Sequence, residues 1–131
     1  MANVEDYWLQ TSDVKLYGRE WNHASPARGV LCLVHGLGEH SGRYAHVAEF
    51  FCGHGFSFMT FDLRGHGKSS GLRGHVDDFD IYNDDVDNLI QEANRRHPQL
   101  PVFLYGHSLG GNIVLNYSLS RKPQIKGVIS S

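Results

Sequence analysis

The stretch that most constrains this chain is residues 101–116, PVFLYGHSLGGNIVLN. Val102-Phe103-Leu104-Tyr105 is an apolar run of strand length. It enters Gly106-His107-Ser108-Leu109-Gly110, and after Gly111 the apolar residues Ile113, Val114 and Tyr117 recur at helical spacing. A strand that becomes a helix within a few residues, with a serine at the apex, demands a sharp turn. Side chains two positions either side of Ser108 would collide with the neighbouring strand and helix, and Gly106 and Gly110 remove them. The spacing suits a nucleophile, because a serine hydroxyl is weak and must be presented bare to both a base and a carbonyl carbon. A helix beginning after Ser108 aims free N–H groups and a partial positive charge at a developing oxyanion. Gly-x-Ser-x-Gly between a strand and a helix is therefore read as a nucleophile elbow, with Ser108 as the nucleophile.

The rest of the chain supplies a frame for that turn. Tyr7-Trp8-Leu9 and Val14-Lys15-Leu16-Tyr17, joined by Thr11-Ser12-Asp13, read as an antiparallel entry hairpin, and Ser25-Pro26-Ala27-Arg28-Gly29 as a loop. Val30-Leu31-Cys32-Leu33-Val34 is an unbroken apolar run, as expected of a parallel strand buried on both faces. The loop after it, residues 35–42, has glycines at 36 and 38 but serine at 41, which does not fit a dinucleotide-binding fingerprint. It is read instead as the source of a second oxyanion-binding amide, Leu37 N–H, acting with Leu109 N–H. Tyr44, Val47, Ala48 and Phe51 predict a helix ending at Gly53 or Gly55. Phe56 to Phe61 predicts a second buried strand, followed by the turn-rich loop 62–71. Val76 to Arg96 predicts a long helix with Phe79, Tyr82, Val86, Leu89, Ile90 and Ala93 on one face, closed by Pro98 and Pro101, and Ile125 to Ser130 predicts a last strand. Strands alternating with crossover helices imply a parallel, doubly wound α/β sheet. The loops at 35–42, 62–71 and 106–110 would then share its carboxyl edge, where such sheets carry their sites.

Composition bounds the partners. Of the 131 residues 40% are hydrophobic and 20% charged, and the net charge of -2 without a basic run argues against nucleic acid. The N-terminal ten residues, MANVEDYWLQ, have neither the basic nor the apolar region of a signal peptide, and no apolar run reaches membrane-spanning length. Cys32 and Cys52, in strand and helix patterns, are expected to be reduced core thiols of a cytoplasmic protein. No His or Cys spacing suggests a metal site, and no cofactor is expected.

Taken together, HGLGEHSGRY (35–44), FDLRGHGKSSG (61–71), GHVDDFDIYNDD (74–85) and GHSLGG (106–111) resemble the α/β-hydrolase superfamily. The resemblance is specifically to its monoacylglycerol lipase and lysophospholipase branch (serine aminopeptidase S33-like), over about residues 4–131. It implies a serine hydrolase of acylglycerol or lysophospholipid esters, with Ser108 as nucleophile and the amides of Leu37 and Leu109 as oxyanion hole. It also implies a lid inserted after the strand at 125–130, in peripheral contact with a membrane. In the order this family follows, the acid and base come after the serine. The 23 residues after Ser108 contain no His, Asp or Glu. The expectation is that residues 1–131 are the N-terminal portion of one α/β-hydrolase domain, stopping before the lid and the last strands through truncation, an incomplete gene reading or a natural split. Alone, such a chain should show little or no esterase activity.

His35 and His107, beside the oxyanion positions, are expected to support the loops together with Gly36, Gly38, Gly106 and Gly110. His40, His66 and His75 lie in edge loops and are the candidates to replace the missing base. Asp62 ends a strand at the edge but precedes the serine, so it is read as fixing loop 62–71 more than as the triad acid, and Arg64 as pairing with a carboxylate there. Asp84, Asp85 and Asp87 read as a solvated helix face. A reading of a different class is a non-catalytic half whose exposed sheet edge at 125–130 pairs with a complementing chain or a second copy.

Overall fold

Val and Leu side chains that alternate along an extended strand must be covered on both faces, and the sheet is organised around one such strand. In the computed structural model, which describes residues 3–22 and 26–131, that strand is β3 (Gly29–Val34), and all six of its residues are buried. Strands β1 (Asn3–Gln10) and β2 (Lys15–Asn22) precede it. A 3-10 turn (Ser41–Tyr44), α1 (Ala45–Gly53), β4 (Phe56–Phe61), α2 (Asp80–Arg96), β5 (Val102–Gly106), α3 (Leu109–Arg121) and β6 (Gly127–Ser130) follow. The described strands form one sheet in the order β1-β2-β4-β3-β5-β6. β4, β3, β5 and β6 run parallel, while β1 and β2 form the antiparallel hairpin at one edge. The expected α/β architecture, with entry hairpin, central parallel strands and flanking helices, is observed.

The period-2 alternation of β3 divides the core. Val30, Cys32 and Val34 pack with Met59, Phe61, Val86, Leu89, Ile113 and Val114 on the face covered by α2 and α3. Leu31 and Leu33 pack with Trp21, Phe58, Ala48 and Cys52 on the face covered by α1. Each fully buried Val or Leu contributes about 1.5–3 kcal/mol. Cys32 and Cys52 are both buried free thiols.

Several boundaries differ from the sequence expectation: β1 and β2 extend well beyond the runs at 7–9 and 14–17, Val14 lies in the turn before β2, and Tyr44 ends the 3-10 turn ahead of α1. Helix α2 begins at Asp80, not Val76. Asp78 lies in the turn before it, where its side chain accepts the Asp80 N–H (2.9 Å) and its carbonyl the Ile81 N–H (2.9 Å). Phe79 therefore stays exposed at the helix entrance instead of joining the buried face, which Tyr82, Val86, Leu89, Ile90 and Ala93 do form. β6 is shorter than expected and begins at Gly127, with Lys126 N–H donating to Val102 O (2.8 Å) just before it. Ser25, in the expected loop 25–29, lies outside the described residues, and Gly29 belongs to β3.

Candidate active site

Ser108 occupies the junction of β5 and α3 with φ 58° and ψ -117°, and is exposed. A non-glycine residue at that φ is under strain, and such strain persists only where surrounding structure enforces it. The enforcement comes from the two glycines. A Cβ at Gly106 would lie 2.1 Å from Gly110 O, and one at Gly110 would lie 1.9 Å from Val34 O. Strand β5, helix α3 and the end of β3 thus approach backbone to backbone around the serine. His107 N–H donates to Val34 O (3.2 Å) and Ser108 N–H to Ser131 O (2.7 Å), pinning the apex from both sides.

Two groups around the apex remain open. Ser108 Oγ and Leu109 N–H, at the first position of α3, have no hydrogen-bond partner among the described residues. Leu37 N–H, in the loop after β3, has none either, and its side chain is exposed. The two loops meet at Gly36: a Cβ there would lie 3.2 Å from both Ser108 Cβ and His107 O.

Beneath the loops lies a buried polar frame. His35 is fully buried, and its Nε2 accepts the Leu63 N–H (2.9 Å). The ring proton therefore sits on Nδ1, which donates to Gly36 O (2.7 Å). One imidazole thus ties the loop after β3 to the loop after β4. Burial pushes its pKa below the ordinary 6.5, favouring the neutral ring this bonding needs. Asp62 does the same with a carboxylate: Oδ1 accepts the Ser41 N–H (2.7 Å) and hydroxyl (2.6 Å), and Oδ2 accepts the Lys68 N–H (2.9 Å). Arg64 makes a bidentate pair with Asp85 (2.7 and 2.8 Å) and reaches Asp13 in the hairpin turn (2.9 Å).

Asp85 corrects the sequence reading. It is fully buried, not part of a solvated face, because it adjoins Val86 and lies three residues after Tyr82 on the inward stripe of α2. Burial raises its carboxyl pKa above the ordinary 3.8 although Arg64 opposes this. Asp84 and Asp87 pair with Arg121 of α3.

None of the three edge-loop histidines hydrogen-bonds to Ser108. His40 Nδ1 accepts the Gly42 N–H, His66 Nδ1 lies 3.1 Å from Arg64 O, and His75 pairs with Asp77. His107 is exposed, with Nδ1 3.1 Å from Ser131 Oγ. Residues that sequence reasoning did not single out are Glu39, whose carboxylate holds the Gly36 N–H (2.9 Å), and Tyr44, whose hydroxyl holds Glu39. A carboxylate directly after a Gly-x-Gly turn was the available signal for Glu39.

A mostly parallel sheet with helices on both faces, and a serine strained at the strand-to-helix turn on its carboxyl edge, define an α/β-hydrolase. A family model described as serine aminopeptidase, S33, matches residues 25–131, and the chain belongs to this family. Over 97 residues it is 43% identical to a monoacylglycerol lipase of Mycolicibacterium smegmatis, covering 74% of this chain and 35% of that protein. It is 35% identical over 114 residues to the monoglyceride lipase of Homo sapiens, covering 87% of this chain and 38% of that protein. The crystal structure of Paleococcus ferrophilus monoacylglycerol lipase superposes with a TM-score of 0.75 at 43% identity, over 88% of this chain and 42% of that one. The chain thus spans well under half the length of these relatives. Among the described residues no helix is long and apolar enough to cross a membrane.

Proposed function

We propose that this chain is the nucleophile-bearing portion of a serine hydrolase of carboxylic esters, acting on acylglycerol or lysophospholipid substrates. The observation that carries the reading is the exposed Ser108 at φ 58°, forced there by the backbone contacts at Gly106 and Gly110. The lipase names of its relatives support the substrate class. In the reaction, Ser108 Oγ bonds to the acyl carbon while its proton passes to a histidine base oriented by a carboxylate. The carbonyl oxygen takes up negative charge between the Leu37 and Leu109 N–H groups, each worth about 3 kcal/mol of barrier. The C–O bond to the alcohol then breaks as the base returns the proton. Water, activated by the same base, releases the fatty acid and restores Ser108. His35, Asp62 and Arg64 hold the loops without touching substrate. The reading includes a cytoplasmic protein in peripheral contact with the membrane that supplies its lipid.

Residues 1–131 alone turn over little or no ester, because no histidine among the described residues hydrogen-bonds to Ser108 Oγ. A second reading, association through the sheet edge, is favoured by one observation: β6 pairs only with β5 among the described strands and carries Ile129 at 45% exposure.

The test is a fluorophosphonate probe read by peptide mass spectrometry. The protein expressed from its complete reading frame should take one adduct on Ser108, lost in Ser108→Ala, while the isolated 131 residues should take none. No adduct on the complete protein overturns the hydrolase reading. An adduct on the isolated chain overturns its predicted inactivity.

A further inference from the structure

The Gly36–Leu37 peptide is held at several points before any substrate arrives. Gly36 O accepts from His35 Nδ1 (2.7 Å) and from Glu39 N–H (3.3 Å), which closes a four-residue turn with Gly38 at φ +73°. Gly36 N–H donates to Glu39 Oε2 (2.9 Å). Both carboxylate oxygens of Glu39 lie 3.0 Å from the Tyr44 hydroxyl, and the Arg43 guanidinium is 3.8 Å away. Glu39 and Ser108 flank the same glycine, since a Cβ at Gly36 would lie 2.6 Å from Glu39 Oε2 and 3.2 Å from Ser108 Cβ.

A trans peptide is planar, so its C=O and N–H point in opposite directions. Fixing Gly36 O therefore fixes the direction of Leu37 N–H, the amide left without an acceptor among the described residues. A bare carboxylate beside a developing oxyanion would oppose the reaction. Here the charge of Glu39 is committed to the Gly36 N–H and the Tyr44 hydroxyl. Burial raises its carboxyl pKa, but these donors and Arg43 outweigh burial and hold it below the ordinary 4.5.

We propose that Glu39 is a positioning residue for the oxyanion hole: braced by Tyr44, its carboxylate grips the Gly36 N–H and locks the 36–39 turn so that Leu37 N–H faces the oxyanion formed at Ser108. This rests on the ester-hydrolase reading above. A donor misdirected by loss of the grip forfeits part of the roughly 10²–10³-fold in kcat that one oxyanion donor supplies.

The experiment compares Glu39→Ala, Glu39→Gln and Tyr44→Phe in the protein expressed from its complete reading frame. Glu39→Ala should lower kcat for monoacylglycerol hydrolysis by about 10- to 100-fold with KM little changed. Glu39→Gln, whose amide oxygen still accepts the Gly36 N–H, should recover most of that loss, and Tyr44→Phe should fall between them. In ¹⁵N–¹H spectra of the 131-residue chain, the Gly36 amide proton should lie downfield and move upfield in Glu39→Ala. Should Glu39→Ala fail to fold, Tyr44→Phe carries the test. Wild-type kcat in Glu39→Ala, or in Tyr44→Phe where Glu39→Ala does not fold, overturns the proposal. So does an effect on KM alone, or a Glu39→Gln as impaired as Glu39→Ala. If instead hydrolysis survives Ser108→Ala, the ester-hydrolase reading fails, while the Gly36 amide shift still reports whether the grip exists.

Discussion

Replacing Ser108 by glycine should make the protein more stable while removing the proposed nucleophile. Ser108 sits at φ 58° and ψ -117°, a conformation glycine adopts freely and an L-residue does not. Holding a non-glycine residue in such a region costs about 1–3 kcal/mol. Glycine removes that cost but adds about 0.5–1 kcal/mol of unfolded-state entropy, leaving a net gain of about 1 kcal/mol. The serine hydroxyl has no partner among the described residues, so its removal sacrifices no hydrogen bond. For a chain of 131 residues, 1 kcal/mol corresponds to about 4 °C in Tm.

Ser108→Ala is the control that isolates the cause. It also lacks the hydroxyl but keeps Cβ, and with it the strain. Thermal unfolding followed by the fluorescence of Trp8 and Trp21 should place Ser108→Gly about 4 °C above wild type and Ser108→Ala close to wild type. Equal Tm values for the two variants, or a lower one for glycine, would show that the elbow stores no backbone strain at Ser108.

Other perturbations probe the frame under the site. Gly110→Ala drives a Cβ to 1.9 Å from Val34 O and 2.6 Å from His35 O, both backbone atoms. It should cost about 3 kcal/mol or more, read as a lower urea midpoint. Arg64→Met strands the fully buried Asp85 carboxylate and should cost about 3–5 kcal/mol at pH 7. A raised carboxyl pKa means stability is present below the ordinary value of 3.8 and lost as pH rises through the folded value. The gap between wild type and Arg64→Met should therefore narrow as pH falls toward 4, and a gap independent of pH would count against Asp85 as its source. His35, held below the ordinary 6.5 by burial, contributes stability that is complete above that value and lost as pH falls through its depressed pKa. Urea midpoints should fall on acidification from pH 6.5, and a His35→Gln variant should show a shallower fall.

Much of the frame was legible along the chain, for a physical reason. A strand buried on both faces reads as an unbroken apolar run, as Val30–Val34 does, and strand and helix periods differ enough to be told apart. Gly106 and Gly110 were legible because a tight strand-to-helix turn excludes side chains at those positions. The start of α2 differs from the expectation because the apolar period runs back to Val76, whereas the backbone before Asp80 is a turn in which Asp78 accepts the Asp80 and Ile81 N–H groups. The role of Asp85 was misread because an acidic run looks solvated until its partner is known, and Arg64 lies 21 residues earlier in the chain.

What the sequence determined by itself is whatever depends on local geometry: the alternation of strands and helices, the elbow around Ser108, and the sharing of one sheet edge by three loops. What only the tertiary structure decided is which polar groups meet across those loops. His35 with Leu63, Asp62 with Ser41, Arg64 with Asp85 and Asp13, and the placing of Gly36 against Ser108 all join segments far apart in the chain. Burial makes the partnerships of His35, Asp62 and the Arg64–Asp85 pair obligatory, since a polar group removed from water must be satisfied. Which group satisfies it is fixed only when strands β3, β4 and β5 lie side by side.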